Sequence, residues 1–149
     1  ALVNAVAAEF RLVGVGSIDV IASKDGLQPV EVNPRWSASM ELIERVRGIS
    51  MFALHADACG RARLPGFDIR TLPGKHRTQG KAIVFARRDV IIGDTRPWLE
   101  DSTVRDVPHE GDQIAAGQPI CTVFADGSDE SACYTGLVER AARIYGELA

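Results

Sequence analysis

The sequence predicts an α+β fold, an antiparallel sheet with packed helices followed by a small β-rich part. Apolar residues recur at helical spacing at both ends of the chain, over 1–12 and 131–148. The stretches 13–33 and 81–125 contain short runs rich in β-branched residues, which turn signals separate. These three observations favour strands and helices of modest length around a core, as in an ordinary globular protein.

The chain is organised around residues 14–39, which are typical of a strand, a turn, a second strand and a loop that opens a helix. Residues 24–26, Lys-Asp-Gly, are a hairpin turn signal between two apolar runs. The second strand is expected from about residue 27 to residue 32. Pro34 ends this strand, because proline cannot donate a hydrogen bond to the ladder.

Three oxygen-bearing side chains are expected to meet on this hairpin. Strand alternation puts Glu31 and Asn33 on one face, and Asp19 lies on the strand that would pair with theirs. Two carboxylates and an amide oxygen are hard donors that suit Mg²⁺. Arg35 follows the strand end and offers a fork for a phosphate or carboxylate. A polar hairpin surface with a structural Arg–Glu pair is the open alternative.

The run Glu31-Val32-Asn33-Pro34-Arg35, with Asp19 twelve positions upstream, resembles the metal-binding end of an ATP-grasp domain. The resemblance implies ATP and Mg²⁺ (or Mn²⁺) as cofactors and Asp19, Glu31 and Asn33 as metal ligands. It places Glu31, Asn33 and Arg35 at the nucleotide, with Arg35 as the catalytic residue on the transferred phosphate. Asp19 stands where many members have Glu, so binding of the metal directly or through water is left open.

A wider resemblance is to predicted ATP-dependent carboligases related to biotin carboxylase. It depends on the helix after the motif and on the segment 110–123. It implies that 1–62 is the C-terminal portion of an ATP-grasp domain with the metal-binding hairpin. Residues 63–149 would then be a β-rich C-terminal subdomain closed by an amphipathic helix. The implied activity is an ATP-dependent ligase, of carboxylate–amine, carboxylate–thiol or carboligase type, that acts through an acyl phosphate.

An ATP-grasp enzyme also needs a glycine-rich loop, lysines that reach the phosphates and a strand that pairs with adenine. Nothing ahead of the hairpin offers these parts. We therefore expect this chain to be the C-terminal portion of a longer protein and to be inactive alone. Its expected partners are ATP, a small-molecule carboxylate and the upstream part of the same protein, and a homodimer is left open.

Two other classes of function are kept as alternatives. One is a non-catalytic binding or assembly domain. The other is a biotinyl-like or lipoyl-like carrier, because the pattern G-x-x-I-x-x-G-x-P-I over 111–120 resembles the half-barrel of those domains. A carrier needs a lysine at a hairpin tip, and the two nearest lysines, Lys75 and Lys81, both precede this segment.

Composition excludes some partners. The net charge of −3 gives no electrostatic case for nucleic acid or a membrane surface, and no apolar run has the length of a membrane span. Cys59, Cys121 and Cys133 are odd in number and lack a C-x-x-C spacing, so we expect packed, reduced thiols in a cytoplasmic protein. His55 lies on an apolar face and is expected to be a core-edge histidine with one satisfied nitrogen.

The remaining elements follow from local signals. We expect a helix that Ser37 or Ser39 caps and Gly48 ends, and a second helix that ends at Gly60. Glycine, proline and basic residues predict a loop over 61–80. The other expected elements are strands over 81–86, 89–93, 104–107 and 120–125, a turn at 96–98, and a C-terminal helix capped by Ser128 or Ser131 with nearby acids.

Overall fold

The computed structural model describes residues 2–63, 66 and 77–148. The chain divides into two compact units, Ala1–Lys75 and His76–Ala149. The first unit contains α1 (Leu2–Glu9), β1 (Ser17–Ser23), β2 (Gly26–Asn33), α2 (Met40–Arg47) and α3 (Met51–Arg61). The second contains β3 (Thr78–Phe85), β4 (Val90–Ile91), α4 (Arg96–Glu100), β5 (Val104–Arg105), β6 (Gln113–Ile114), β7 (Pro119–Gly127) and α5 (Glu130–Glu147). Most of the loop expected over 61–80 lies outside the described residues.

Mixed helices and antiparallel sheets confirm the α+β class. The strands β1 and β2 form a two-stranded antiparallel sheet, and the second unit contains a three-stranded sheet of order β3-β7-β5. A further two-stranded antiparallel sheet joins β4 and β6. No helix in the described residues is long and apolar enough to cross a membrane.

The hairpin of the first unit closes at the predicted turn. Ser23 pairs with Gly26, and Gly26 adopts a φ of +117°, which glycine reaches without a Cβ clash. The Ser23 hydroxyl accepts from the amide of Asp25 at 3.2 Å and donates to the carbonyl of Gly26 at 3.3 Å. Local hydrogen bonds and glycine geometry therefore fix the tip of the hairpin.

A one-residue bulge interrupts the hairpin above the tip. Val20 lies opposite Pro29, but the next residue of β1, Asp19, lies opposite Glu31. Val30 is the extra residue on β2. Proline has no N–H to give to a ladder and is tolerated at bulges, so Pro29 fits this irregular position.

The helices of the first unit begin differently from one another. Ser39 precedes α2 but its side chain makes no capping hydrogen bond; instead its hydroxyl lies 3.0 Å from that of Ser37. The predicted capping by these two serines is therefore wrong, because the hydroxyls bond each other. Ser50, by contrast, caps α3 by accepting from the amide of Ala53 at 3.1 Å.

The ends of these two helices also differ. Gly48 ends α2 in the left-handed conformation, with φ 65°, as the sequence predicts. The predicted end of the next helix at Gly60 is wrong, since α3 continues to Arg61 and Ala62 takes the left-handed position. The Ala62 amide donates to the carbonyl of Asp57, which satisfies one of the last carbonyls of α3.

The first unit buries little of its apolar surface among the residues that the structure describes. Met40 is the only buried residue within 2–63 and at 66. Large apolar side chains on the helices and the hairpin are exposed, among them Val3, Phe10, Val13, Ile21, Leu27, Val30 and Phe52. A two-stranded hairpin needs further strands or a packed helix for independent stability. The described part of this unit is therefore thinly packed.

The second unit has a well-formed core around β7, its central strand. Six consecutive residues of this strand, 120–125, are buried, because β3 and β5 flank it and α5 packs on the sheet. Gly80 and Gly127 permit the close approach of α5, since a Cβ at Gly80 would lie 2.9 Å from the Cys133 sulfur and one at Gly127 would meet the Cys133 amide. The main core cluster consists of Val84, Ala86, Ile92, Trp98, Val104, Ile120, Cys121, Val123 and Ile144.

One local prediction in this unit is wrong and another is confirmed in part. The predicted turn at 96–98 is the start of the short helix α4, which accommodates Pro97 in its first turn, where no amide donor is needed. The cap of α5 is Asp129, one of the acids beside the two expected serines, and its carboxylate accepts from the amide of Ala132 at 2.8 Å. The Ser128 hydroxyl donates to the same carboxylate at 3.1 Å and does not cap the helix itself. The strands differ from the predicted spans by a few residues at their ends, and β4 and β5 are only two residues long.

A polar network joins the α4–β5 connection to α5. The Asp101 carboxylate accepts from the amide and hydroxyl of Thr103, at 2.8 and 2.6 Å, and from Arg143 at 2.5 Å. Arg140 donates to the Thr103 hydroxyl at 2.7 Å. The hydrogen bond from the Thr103 hydroxyl, followed by the bond from Arg143, holds the pKa of Asp101 well below its ordinary value.

This network predicts that Asp101→Asn reduces stability at neutral pH but matters little in acid. The carboxylate stabilises the fold fully above its ordinary pKa of 3.8, and this contribution is lost as the pH falls from there towards the lower pKa of the folded state. We expect a loss in unfolding free energy on the order of 1 kcal/mol at pH 7, allowing for solvent screening of the exposed Arg143. Urea unfolding at pH 7, 4 and 3 measures it.

The control for this experiment is Glu139→Gln, which removes an exposed acid from α5. Its effect on the unfolding free energy should be small at each pH. A difference between wild type and Asp101→Asn that stays constant from pH 7 to pH 3 would contradict the assigned role of the carboxylate.

Candidate metal centre

The open end of the hairpin carries the predicted ligands on one face of the strand pair. Asp19 and Glu31 are direct partners in the antiparallel register, and Ser17 pairs with Asn33 two positions further along. The ladder is regular between these pairs, because the bulge lies on the other side of Asp19. Directly opposite residues share a face with Cβ atoms roughly 4.5–5.5 Å apart. Glu31 and Asn33, which are two positions apart on β2, share that face as well.

The bulge decides this arrangement. With Ser23 opposite Gly26, an unbroken hairpin would put Asp19 opposite Val30 and Ile18 opposite Glu31. The extra residue on β2 moves the pairing by one, so that Asp19 meets Glu31 instead. Bulges commonly re-aim a side chain next to a functional site. The sequence contains one signal for it, Pro29, which is the partner of Val20 on the tip side of the shift.

The two facing carboxylates need a counter-charge. Like charges that face each other across a strand pair destabilise the pair. The neighbouring cation, Arg35, is exposed and donates to the carbonyl of Trp36 at 3.2 Å. No ion pair joins Arg35 to Asp19 or Glu31 in the described part of the chain, so the structural Arg–Glu pair considered as the alternative is not formed. The carboxylate pair therefore remains available to a bound cation.

The donor set suits a hard cation better than a transition metal. Within residues 2–63, 66 and 77–148, no three His, Cys, Asp or Glu side chains gather as a metal cluster. The hairpin instead offers two carboxylates and one amide oxygen, without nitrogen or sulfur. Mg²⁺ is commonly bound through one or two carboxylates, with water and substrate phosphates as its other ligands. The residues present therefore fit Mg²⁺ shared with a phosphate-bearing molecule.

His55 has one satisfied ring nitrogen, as the sequence predicts. Its Nδ1 accepts from the amide of Val15 at 3.1 Å, and its Nε2 lies 3.6 Å from the Cys59 sulfur. Because Nδ1 is an acceptor, Nε2 carries the proton of the neutral ring. The ring rests on Gly14, where any Cβ would collide with it. His55 therefore fixes the entry to β1 and has no lone pair for a metal.

All three thiols are free, as predicted, but only two of them are packed. Cys121 and Cys133 are buried, and burial raises the pKa of Cys121 to about 11. Cys59 is exposed, so the prediction that it is packed is wrong. Cys59 lies on α3 and faces Val13, just before β1 in the chain. Its sulfur remains at the surface there.

Comparison with known proteins shows a likeness of fold. No family model matches the chain, and no curated protein matches it. Among solved structures, the chain is similar to the N5-carboxyaminoimidazole ribonucleotide synthetase from Thermotoga maritima, with a TM-score of 0.60 and 13% sequence identity. The likeness covers 95% of this chain and 39% of that one. At this level of identity, the likeness shows a similar fold alone.

The facing acids give a testable prediction for Asp19→Asn. Without metal, removing one of two opposed charges should stabilise the hairpin by roughly 0.2–1 kcal/mol. With Mg²⁺, wild type should gain thermal stability, because a cation held by both acids would bind only the folded hairpin, whereas the variant should gain little. Thermal unfolding with and without millimolar MgCl₂ measures both effects.

Asp25→Asn is the matched control, because it makes the same charge change at the hairpin tip. It should leave the response to Mg²⁺ unchanged. An equal gain from Mg²⁺ in wild type and Asp19→Asn would show that the metal binds elsewhere.

Proposed function

We propose that this chain supplies the Mg²⁺-binding end of the ATP site in an ATP-dependent ligase. The observation that carries the proposal is the register that puts Asp19 opposite Glu31, with Asn33 on the same face. The structural likeness to a synthetase supports it through the fold. The proposed reaction is phosphorylation of a carboxylate by ATP, which releases ADP. An amine, a thiol or another nucleophile then attacks the acyl phosphate and expels inorganic phosphate.

The proposed roles follow from charge and position. Asp19, Glu31 and Asn33 would hold Mg²⁺, which when bound neutralises charge on the ATP phosphates. Arg35 follows the strand by two residues, and among the described residues its guanidinium bonds an exposed backbone carbonyl, that of Trp36, which a phosphate could replace. Its fixed fork would stabilise the charge on the transferred phosphoryl group. No side chain needs to act as nucleophile, because positioning and electrostatics carry phosphoryl transfer.

The other parts of the site would come from elsewhere. The chain spans about 39% of the length of the synthetase it resembles. In our proposal the upstream part of the same protein supplies the adenine pocket and phosphate-binding lysines, and the partners are ATP and a small-molecule carboxylate. We place the protein in the cytoplasm on the strength of its three free thiols. A homodimer is compatible with the proposal and is not required by it.

The two alternative functions require different structural features. A non-catalytic assembly domain would keep the fold without needing the acids to face each other. A carrier would need a lysine presented at a hairpin tip. Lys81 lies within β3 opposite Phe124, with its ammonium 5.9 Å from that ring, so it is not placed as a carrier lysine.

The test is ATP turnover by the longer protein that carries this chain. Glu31→Gln should lower turnover by about 100-fold or more, because it removes a charged ligand of the metal, and Arg35→Ala should have a comparable effect. Glu9→Gln, at the end of α1, is the control and should leave turnover unchanged. Circular dichroism checks that each variant folds.

Normal turnover by Glu31→Gln and Arg35→Ala would overturn the proposal. Loss of turnover in the Glu9→Gln control would also count against it, because the effect would then be nonspecific. Intact-mass measurement of the same protein tests the carrier alternative, which requires a modified lysine.

A further inference from the structure

The second unit contains a small cavity with two arginines at its edge. The cavity has a volume of about 260 Å³ and lies between the residues that follow β3 and the end of α5. Its inner wall is apolar, since Ala86 and Ile120 are each 4% exposed. The exposed side chains of Arg87 and Arg88 line it as well. We refer to it as the arginine cavity.

Arg87 is held in place by stacking, and no hydrogen bond joins its guanidinium to another described residue. Its guanidinium lies 3.9 Å from the centre of the Tyr145 ring. The Tyr145 hydroxyl donates to the carbonyl of Phe85 at 3.0 Å, which fixes the ring. Stacking occupies the face of a guanidinium and leaves its in-plane N–H groups available. Arg87 is therefore a preorganised donor fork.

Arg88 is also weakly held. One of its terminal nitrogens donates to the carbonyl of Leu148 at 3.5 Å, the upper limit for such a bond. Within the described residues, neither Arg87 nor Arg88 pairs with a carboxylate.

The acids near the two arginines contact other groups. Asp89 accepts from the amide of Ala116 at 2.9 Å, and Glu147 accepts from the Trp98 indole and lies 3.9 Å from Arg143. Within the part of the chain that the structure describes, two adjacent positive charges therefore lie beside an apolar wall without an ion pair.

We propose that the arginine cavity binds a small organic anion. A carboxylate or phosphate head would accept hydrogen bonds from Arg87 and Arg88, because a guanidinium fork matches the geometry of both groups. An apolar body would lie against Ala86 and Ile120. The volume is below the usual range for drug-sized ligands, so the ligand is small. The site uses none of the hairpin residues and is independent of the proposed ligase function.

The test is an NMR titration of the chain with four probes: phenyl phosphate, benzoate, inorganic phosphate and benzyl alcohol. The first two combine an anionic head with an apolar body and distinguish phosphate from carboxylate. We expect saturable shifts of the amide signals of 86–90 and 145–148 with at least one of them. Inorganic phosphate should bind more weakly, and neutral benzyl alcohol should not bind.

Variants separate ligand binding from a structural role of the arginines. Arg88→Gln keeps the Tyr145 stack and should weaken binding about tenfold, the usual loss for one charge-assisted contact. Arg87→Gln should have a similar effect. Arg105→Gln is the control, because Arg105 also donates to a backbone carbonyl but does not line the cavity. It makes the same change in net charge and should leave affinity unchanged.

Three results would overturn the proposal. One is equal binding of the anions and benzyl alcohol, which would show that ligands bind the apolar wall and not the arginines. Another is unchanged affinity in Arg87→Gln and Arg88→Gln. The third is the absence of saturable binding by either aromatic anion to folded wild type. In that case the arginines only stabilise the end of α5.

Discussion

The one-residue bulge on β2 is the constraint on which the candidate site depends. It separates the tip of the hairpin, where a two-residue turn sets the pairing, from the open end, where Asp19 faces Glu31. Without it, the two acids would fall out of register and could not share a cation. The arrangement costs electrostatic repulsion when no cation is bound. In our proposal a bound metal would relieve this repulsion, and it would therefore favour the paired strands over the unpaired ones.

The two units are built in different ways. The second has a central buried strand, β7, between two others and under α5, and a polar network around Asp101 that ties the α4–β5 connection to that helix. The described part of the first unit buries only Met40 and is organised instead by backbone geometry and by single contacts, such as that of His55 with Val15. Such elements sit at the low end of local stability, where binding loops and moving parts are commonly found.

Local chemistry made much of this structure predictable. The turn at 24–26, the end of α2 at Gly48 and the amphipathic C-terminal helix each follow from one or two residues with strong preferences. The register was only partly predictable, because alternation places Glu31 with Asn33 but cannot reveal that Val30 is an extra residue. The cap of α2 was predicted wrongly, because the hydroxyls of Ser37 and Ser39 bond each other. At α5 the capping acceptor is Asp129, an acid that lies beside a serine. The arginine cavity could not be predicted, because it joins residues about 60 positions apart in the chain.

We propose that one cation binds between Asp19, Glu31 and Asn33. Paramagnetic broadening of the amide signals by substoichiometric Mn²⁺, with reversal by excess Mg²⁺, tests this site directly. We expect the signals of 17–19 and 31–33 to broaden first, while those of the tip, 23–26, persist. Broadening that is uniform over the hairpin, that centres on the tip, or that excess Mg²⁺ does not reverse would rule out a cation at these three residues.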